Sequence, residues 1–324
     1  MSNHCDLIWY NGKIVPFQDA TTHVMSHVLH YGSGVFEGIK CYKTPNGPGI
    51  FKLDEHIKRL FESAKIYNMH IPYTPQELSQ ACLELVKENQ IDSGYIRPIA
   101  FYGYDTLGVH PKECPVSVSI GIFDWGSYLG ENALENGVRV TVSPWRKFHS
   151  TSFPTVAKSS GQYLNSLLAV QDAKAKGFDE ALLLNQEGTI AEGAGQNIFV
   201  IKNGELYTNA EDSSILMGIT RETLIYLASK MDIKVHIGKL SLWQLFNADE
   251  AFFCGTASEV TPIREVDGRV IGNGKAGSFT QKLQHIYIDI VHGKIDEYVH
   301  WLTLVENLNV ENTSTSFQAT AVSD

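Results

Sequence analysis

The sequence predicts an α+β fold built from hairpins and helices. Apolar residues alternate strictly in "PVSVSIGIF" and recur every three to four residues in "LDEHIKRLFESAKIY", which indicates strands in one segment and a helix in the other. Asn-Gly or Asp-Gly pairs between apolar runs predict tight hairpin turns at residues 11–12, 203–204 and 267–268. Hairpins together with helices favour a mixed architecture over regular βαβ winding.

Chain length and one break in the pattern predict two domains. A chain of 324 residues is long enough for about two domains. The stretch "DWGSYLGENALENG" interrupts the strand-like segments with glycines and polar residues, as a linker does. We therefore expect a small N-terminal domain over residues 1–124, a linker over 125–137 and a larger mixed domain over 138–308. Residues 309–324 have the composition of a disordered tail.

Two helices of the small domain can be justified residue by residue. The first has Asp54 as its expected N-cap and carries Ile57 and Leu60 on an apolar face, with Arg59 on the opposite, solvent-facing side. The second begins with Thr74, followed by Pro75 and then by glutamate at the third helical position. This arrangement predicts a capping box with proline in the first turn.

Composition argues against several classes of function. The formal net charge is −10 and no basic run is present, which argues against a nucleic-acid or anionic-membrane partner. No apolar stretch reaches about 18 residues, so no membrane span is expected, and the N-terminus lacks a signal-peptide pattern. We expect a cytoplasmic protein without a metal site, because the cysteines are scattered with no C-x-x-C pair (Cys5, Cys41, Cys82, Cys114 and Cys254).

Lys158 is set among small residues in "FPTVAKSSGQYLNSLLAV". No carboxylate occurs within ten residues on either side. One interpretation is a solvated lysine at a helix start. The other is a lysine that forms a Schiff base, which must lose its proton and therefore needs a desolvated or electropositive site. Small neighbours would let a ring and a substrate approach it, but composition alone leaves both interpretations open.

Three glycine-rich segments could hold a ligand. Gly218 opens a helix in "ILMGITRETLIYL", and the free N–H groups of such a start can bind either a phosphate or water. "CGTASEVTP" follows a strand and also offers N–H groups and hydroxyls. In "TIAEGAGQN", Glu192 lies between alanine and glycine, which suits either a flat partner or a turn in solvent.

Tyr95 and Arg97 are two residues apart in the strand-like "YIRPIAFYGY". They therefore share a face with Ile99 and Phe101. If this face is buried, Arg97 needs an anion; if the strand lies at an edge, Arg97 lies in water.

These segments together resemble the branched-chain amino-acid aminotransferases, which are class IV (fold-type IV) enzymes. The resemblance rests on "VMSHVLHYGSGVFEGIKCY", "FPTVAKSSGQYLNS", "AEGAGQNIF", "LMGITRETL" and "GTASEVTPI", in this order, and spans about residues 5–305. It implies a two-domain fold with pyridoxal 5′-phosphate held between the domains. One departure is Gln196, where bacterial relatives often carry glutamate, and we expect it to act only through neighbouring residues.

The resemblance also implies the cofactor contacts. Lys158 would form the internal aldimine and later move the proton at the substrate Cα. Tyr163 would hydrogen-bond the phenolic oxygen of the ring, and Glu192 the pyridine nitrogen. The phosphate would lie against the remaining cofactor residues, which are Arg59, Gly218, Ile219, Thr220 and Thr256.

The implied substrate contacts are Tyr31, Phe36, Tyr95, Arg97, Val109, Trp125, Tyr128, Thr256 and Ala257. Phe36, Val109 and Trp125 would form an apolar slot for a branched side chain. Tyr95 and the Thr256-Ala257 turn would bind the α-carboxylate. Arg97 would bind the second carboxylate of glutamate or 2-oxoglutarate, so that one pocket accepts both kinds of side chain.

The implied reaction is reversible transfer of the amino group of L-leucine, L-isoleucine or L-valine to 2-oxoglutarate. The substrates are thus small molecules: branched-chain amino acids, glutamate and 2-oxo acids. A homodimer or higher homo-oligomer is expected, with a neighbouring subunit closing the pocket. Two alternatives remain: a D-amino-acid aminotransferase or aminodeoxychorismate lyase of the same family, and a cofactor-binding protein without turnover.

Overall fold

The computed structural model describes residues 5–126, 128–130 and 132–305. Within these ranges the strands form two sheets, one of eight strands and one of nine. Helices pack on both sheets, so the predicted α+β class is confirmed. The predicted tail over residues 309–324 lies outside the described residues.

The first sheet is built mainly by the N-terminal part of the chain. Its helices are α1 (His27–Tyr31), α2 (Leu53–Ile66) and α3 (Pro75–Glu88). Its strands include β1 (Leu7–Tyr10), β2 (Lys13–Pro16), β3 (Gly34–Phe36), β4 (Ile39–Thr44), β5 (Gly47–Phe51), β6 (Gly94–Tyr102) and β7 (Val116–Phe123). Neighbouring strands run β5-β4-β6-β7-β1-β2, with β3 beside β6, and all these pairs are antiparallel.

The second sheet follows in the chain. Its helices are α4 (Ala133–Asn136), α5 (Tyr163–Ala175), α6 (Ile219–Lys230), α7 (Leu242–Phe246) and α8 (Ser278–Val291). Its strands are β8 (Val138–Val142), β9 (Glu180–Leu184), β10 (Ile190–Gly193), β11 (Asn197–Lys202), β12 (Glu205–Asn209), β13 (Val235–Gly238), β14 (Glu250–Gly255), β15 (Glu259–Val266) and β16 (Arg269–Val270). The order is β10-β9-β8-β15-β14-β11-β12-β13, with β16 beside β15.

The last described strand, β17 (Leu302–Leu304), pairs with β5 of the first sheet. It lies in the range predicted for the large domain, yet it completes the small domain's sheet. One apolar cluster likewise joins α6 and α8 to residues of the first sheet, namely Tyr42, Phe51 and Leu302. The two sheets are therefore packed together through this cluster, and the two-domain division remains a prediction.

The three predicted hairpin turns are present. In each turn both central residues have positive φ, the geometry of a type I′ turn, which asparagine, aspartate and glycine adopt at least cost. The φ angles are 46° and 88° at Asn11-Gly12, 51° and 76° at Asn203-Gly204, and 48° and 76° at Asp267-Gly268.

One predicted helix cap is confirmed and the other is wrong. Thr74 Oγ1 accepts from the N–H of Glu77, and the Glu77 carboxylate accepts from the N–H of Thr74. The first helix, however, begins at Leu53, one residue before Asp54, directly after Lys52 with a left-handed φ of 53°. Leu53 is fully buried and the N–H of Lys52 donates to Trp301 O, so tertiary contacts rather than a cap set this start.

Candidate active site

Lys158 is anchored by its backbone in the segment that leads into α5. Its carbonyl accepts from the N–H of Phe36 at 3.0 Å, and its N–H donates to Ser63 Oγ at 3.0 Å. The Nζ atom donates to Tyr163 Oη at 2.7 Å. Burial lowers the pKa of Lys158 to about 8, against an opposing influence from Glu37. This amine is therefore not a solvated surface lysine.

The small neighbours of Lys158 have a packing role. Ala157 is fully buried, and Ser159 forms a backbone bridge with Val35 of β3. A Cβ atom on Gly32 would lie within 2.9 Å of Gly161 Cα, so the two chain segments approach closely here. Small residues thus let the lysine segment pack against the first sheet.

A cavity between the two sheets brings most of the predicted site residues together. Its lining includes Arg59, Tyr95, Lys158, Tyr163, Glu192, Gly218, Ile219, Thr220, Thr256 and Ala257. Phe36 lies at its edge, with its ring 4.9 Å from the Tyr163 ring. Burial raises the pKa of Tyr163 to about 12, so its hydroxyl keeps its proton at neutral pH.

Glu192 is buried at one end of the cavity and accepts from three groups. Lys147 Nζ lies 2.7 Å from Oε1, while Asn197 Nδ2 and the N–H of Leu216 contact Oε2 at 3.2 and 3.0 Å. Lys147 is itself buried, with 5% of its surface exposed. This lysine is not predicted from the sequence, because the basic pair in "SPWRKF" has the pattern of a solvated surface.

The start of α6 lies at another end of the cavity. Gly218 is its N-cap and has no side chain to satisfy the first N–H groups of the helix. A Cβ atom at this position would collide with Asn197 Oδ1. Glycine therefore leaves the positive end of the helix open toward the cavity and also lets Asn197 pack beside it.

Arg59 points into the protein, so its predicted solvent-facing orientation is wrong. Only 13% of its side chain is exposed, and its Nε and NH2 groups donate to Glu37 at 2.6 and 2.9 Å. Burial alone would raise the pKa of Glu37, but Arg59 and His56 hold it well below the usual range. The apolar stripe of α2 packs on the first sheet, and the long Arg59 side chain reaches past it to the buried carboxylate.

Glu37 and His56 were also missed from the sequence. Glu37 is fully buried, and its carboxylate lies 2.7 Å from His56 Nδ1. A usable signal was present in "GVFEGIK", where one carboxylate interrupts an apolar strand run. A buried carboxylate requires charged or hydrogen-bonding partners, so this pattern indicates a partner elsewhere in the chain.

Arg97 lies on the same face of β6 as Tyr95, as its spacing predicts, and it is partly buried there. Its guanidinium carbon is 4.8 Å from the Phe36 ring centroid, 5.2 Å from that of Tyr95, 5.4 Å from that of Trp125 and 6.0 Å from that of Phe123. Its Nε atom is buried and finds no hydrogen-bond partner among the described residues. These four rings form an aromatic box around the guanidinium. Because the guanidinium keeps an unsatisfied donor, it can bind an anion in this box.

The remaining predicted residues fall into two places. Tyr128 lies beside Trp125, with ring centroids 5.2 Å apart, so it belongs to the aromatic box. Tyr31 and Val109 do not line the Lys158 cavity: they are 45% and 79% exposed and line a second, apolar cavity near Phe153. Within one chain, Val109 therefore does not meet Phe36 and Trp125.

Gln196 closes the loop that follows Glu192. Its Nε2 donates to the buried carboxylate of Glu180 at 2.8 Å, and its Oε1 accepts from the N–H of Gly195. The expectation that it acts through neighbouring residues stays a prediction.

Neither a metal-binding cluster nor a membrane-spanning helix occurs among the described residues. Among the described residues, no group of three or more His, Cys, Asp or Glu side chains could hold a metal ion. In the same part of the chain, no helix has the length and apolar character needed to cross a membrane. The five cysteines, all of them described, form no disulfide with one another.

Comparison with known proteins identifies the family. Residues 34–266 match the family model described as amino-transferase class IV. The branched-chain-amino-acid aminotransferase of Pseudomonas aeruginosa is 48% identical over 94% of this chain and 99% of its own length. That of Escherichia coli K12 is 43% identical, over 93% and 97% of the two chains. The chain belongs to the class IV aminotransferase family.

Solved structures show the same fold. The branched-chain amino acid aminotransferase of Escherichia coli superposes with a TM-score of 0.91 at 43% identity, covering 93% of this chain and 100% of the other. The enzyme from T.th. with pyridoxamine 5′-phosphate gives 0.90 at 46% identity, covering 93% and 99%. The same enzyme complexed with 4-methylvaleric acid gives 0.89 at 44% identity, with equal coverage. The two-sheet architecture is therefore that of these enzymes.

The cavity residues fit pyridoxal 5′-phosphate. Lys158 supplies an amine whose pKa is lowered, next to the Tyr163 hydroxyl. Glu192 supplies a buried carboxylate for the ring nitrogen, and the open start of α6 suits a phosphate, with Arg59 nearby. The donors thus match the three polar parts of the cofactor: its aldehyde, its nitrogen and its phosphate.

Proposed function

We propose that this protein is a pyridoxal 5′-phosphate-dependent aminotransferase that moves the amino group between L-leucine, L-isoleucine or L-valine and 2-oxoglutarate. The observation that carries the proposal is the position of Lys158 Nζ. It lies 2.7 Å from Tyr163 Oη, in a cavity that also contains Glu192 and the start of α6. The names of the relatives support the branched-chain substrates.

The chain's own residues hold the cofactor at both ends. Glu192 binds the ring nitrogen, and its three protein contacts keep its carboxylate in place. Ile219, Thr220 and Thr256 contact the phosphate, and Arg59 neutralises part of its charge. When bound, the cofactor supplies an electron sink that stabilises negative charge at the substrate Cα.

Lys158 is the proposed catalytic residue. Its pKa of about 8 means that a sizeable fraction of the amine is neutral near pH 8, which nucleophilic attack and proton abstraction both require. With the cofactor bound, the free Nζ would take the proton from the substrate Cα and deliver it to C4′ of the cofactor. Tyr163 holds the ring oxygen and fixes the position of Nζ by its hydrogen bond.

The substrate lies between the aromatic box and the β14–β15 turn. Phe36, Trp125 and Tyr128 surround an apolar side chain, and Arg97 binds the distal carboxylate of glutamate. Tyr95 and the Thr256-Ala257 turn bind the α-carboxylate. Because the Arg97 guanidinium lies among rings, an aliphatic side chain can pack in the same space.

We further infer that the protein is a homodimer, in which Tyr31 and Val109 reach the partner's pocket. Support comes from an exposed apolar face on α5 that comprises Leu164, Leu167 and Leu168, which are 65%, 50% and 40% exposed. This face begins at the Gly161–Gly32 contact and so adjoins Tyr31. Contiguous exposed apolar surface of this kind typically marks a protein interface.

The proposal is tested by incubating purified protein and pyridoxal 5′-phosphate with L-leucine and 2-oxoglutarate. Glutamate should form, and L-isoleucine and L-valine should also be donors. Lys158→Ala should reduce the rate by several orders of magnitude, because it removes the proposed base, while the far-UV circular dichroism stays unchanged. Turnover of D-alanine instead of L-leucine would favour the D-amino-acid alternative, and cofactor binding without any turnover would contradict an enzymatic role.

A further inference from the structure

The turn between β14 and β15 contains a residue in an unusual backbone conformation. Gly255 pairs with Glu259, so the connecting loop has three residues, Thr256 to Ser258. Three-residue hairpin loops commonly end on a residue in the left-handed region, where glycine is the default. Here the left-handed residue is instead Glu259, the first residue after the loop, with φ of 51°. A non-glycine residue in this conformation costs free energy and persists when its surroundings hold it.

The Glu259 side chain is held by the first sheet. Its Oε1 atom lies 2.6 Å from Lys40 Nζ and accepts from Tyr42 Oη at 3.1 Å. Lys40 and Tyr42 belong to β4, whereas Glu259 belongs to β15 of the second sheet. Glu259 is 6% exposed and Tyr42 is 2% exposed, while 24% of the Lys40 side chain is exposed, so the carboxylate end of the contact is shielded from water. The ion pair therefore connects the β14–β15 turn of the second sheet to strand β4 of the first sheet.

Both ends of this ion pair lie next to a proposed ligand of the substrate α-carboxylate. On β4, Lys40 is the direct cross-strand partner of Tyr95. On β15, Glu259 immediately follows the Thr256–Ser258 loop. The ion pair thus connects the two parts of the carboxylate site, which come from different sheets.

We propose that Glu259 is a positioning residue for this site, and that Lys40 is its anchor. The pair sets the distance between Tyr95 and the Thr256-Ala257 turn, so that both meet one carboxylate. A glycine at position 259 would adopt the left-handed conformation without strain, but it could not form the ion pair with Lys40. The inference rests on the proposed function, because it assumes that the turn binds the substrate α-carboxylate.

The test compares Lys40→Met and Glu259→Gly with wild-type holoenzyme. Glu259→Gly relieves the left-handed backbone strain and removes the ion pair with Lys40. It therefore distinguishes the effect of backbone conformation from the effect of the ion pair. The probe is 4-methylvalerate, which carries the carboxylate of a branched substrate without its amine; 4-methyl-1-pentanol is the carboxylate-free control. Lys43→Met is the matched variant, since Lys43 lies on the same strand in an exposed ion pair with Asp92.

We expect both variants to bind 4-methylvalerate about tenfold more weakly, and the KM for leucine to rise similarly while kcat changes less than about twofold. Binding of 4-methyl-1-pentanol and of pyridoxal 5′-phosphate should stay within about twofold of wild type, because neither uses the carboxylate site. Lys40→Arg should restore most of the affinity, and Lys43→Met should behave as wild type.

Unchanged 4-methylvalerate binding in both variants would overturn the inference. So would a loss of pyridoxal 5′-phosphate affinity as large as the loss of 4-methylvalerate affinity, since that indicates general disruption of the cavity. Failure of the proposed function is distinguishable. Wild-type protein that binds no 4-methylvalerate and does not transaminate leucine refutes the function and this inference with it, whereas an active wild type with equally active variants refutes the inference alone.

Discussion

Lys158 shows how position changes the chemistry of one side chain. Its small neighbours were visible in the sequence, but they suited both a solvated and a reactive lysine. The structure places Nζ beside Tyr163 Oη, where burial lowers the pKa to about 8 from the ordinary value of 10.5. Burial of the amine thus accounts for a lysine that can be neutral near physiological pH.

The same shift predicts a pH-dependent cost in the cofactor-free protein. Between pH 8 and 10.5 the unfolded chain binds more protons at Lys158 than the folded chain does, so the contribution of this lysine to stability rises with pH. Below pH 8 the full cost of burying the charged amine applies. Lys158→Met should therefore raise the free energy of unfolding by on the order of 1–2 kcal/mol at pH 7.

The measurement is urea unfolding of the cofactor-free proteins at pH 7, 9 and 10. The gain from Lys158→Met should shrink as the pH rises toward 10.5. Lys112→Met, at an exposed lysine, serves as the control and should change stability by less than about 0.5 kcal/mol at each pH. A gain that does not vary with pH would contradict a lowered pKa for Lys158.

At the scale of an element, helix α6 depends on a glycine at its start. Gly218 leaves the first N–H groups open and makes room for Asn197, which donates to Glu192 and to the carbonyl of Leu216. Asn197 therefore both packs against the start of α6 and supports the Glu192 carboxylate. The sequence predicted the helix start but not this shared support, because Glu192 and Asn197 lie on β10 and β11, two strands that do not pair with each other.

Gly218→Ala should weaken pyridoxal 5′-phosphate binding by tenfold or more and reduce stability by about 1–3 kcal/mol. The added methyl group would collide with Asn197 and displace both it and the helix start. Gly238→Ala is the control, since a Cβ atom there meets nothing within 4 Å. Cofactor titration followed by tryptophan fluorescence would measure the affinities, and equal affinities for both variants would rule out the proposed role of this turn.

At the scale of the whole molecule, the predicted site residues divide into two groups. Most of them line the cavity between the sheets or the aromatic box around Arg97, whereas Tyr31 and Val109 lie apart from both on the exposed surface. A single chain thus leaves two of its expected substrate contacts unused. The adjoining apolar face of α5 offers a physical reason for association, because burying it removes three leucines from water.

Leu167→Glu should weaken self-association at least tenfold, because a carboxylate would have to be buried without a partner. Sedimentation velocity across a range of protein concentrations would detect a shift toward the monomer. Ile237→Glu, at a residue that is 54% exposed on β13, is the control and should leave the distribution unchanged. If both variants sediment like wild type, the α5 face is not the interface.

Local chemistry in the sequence was sufficient for several features. The three hairpin turns follow from the φ preferences of asparagine, aspartate and glycine. The Thr74 capping box follows from a cap residue three positions before its glutamate partner. The shared face of Tyr95 and Arg97 follows from the two-residue repeat of a strand. These depend on interactions among neighbours in the chain, so the amino-acid order alone determines them. The family resemblance, carried by the order of the motifs, predicted the cofactor and the residues of the site.

Only the tertiary structure decided the direction of Arg59, the start of α2, the Lys147–Glu192 pair and the Lys40–Glu259 pair. Each of these depends on groups that are far apart in the chain and become neighbours only when the chain folds, and the Lys40–Glu259 pair also requires the two sheets to pack together. A charged residue has the same local pattern whether it faces water or a buried partner. Its environment, and therefore its charge state and role, is set by which surfaces the fold brings together.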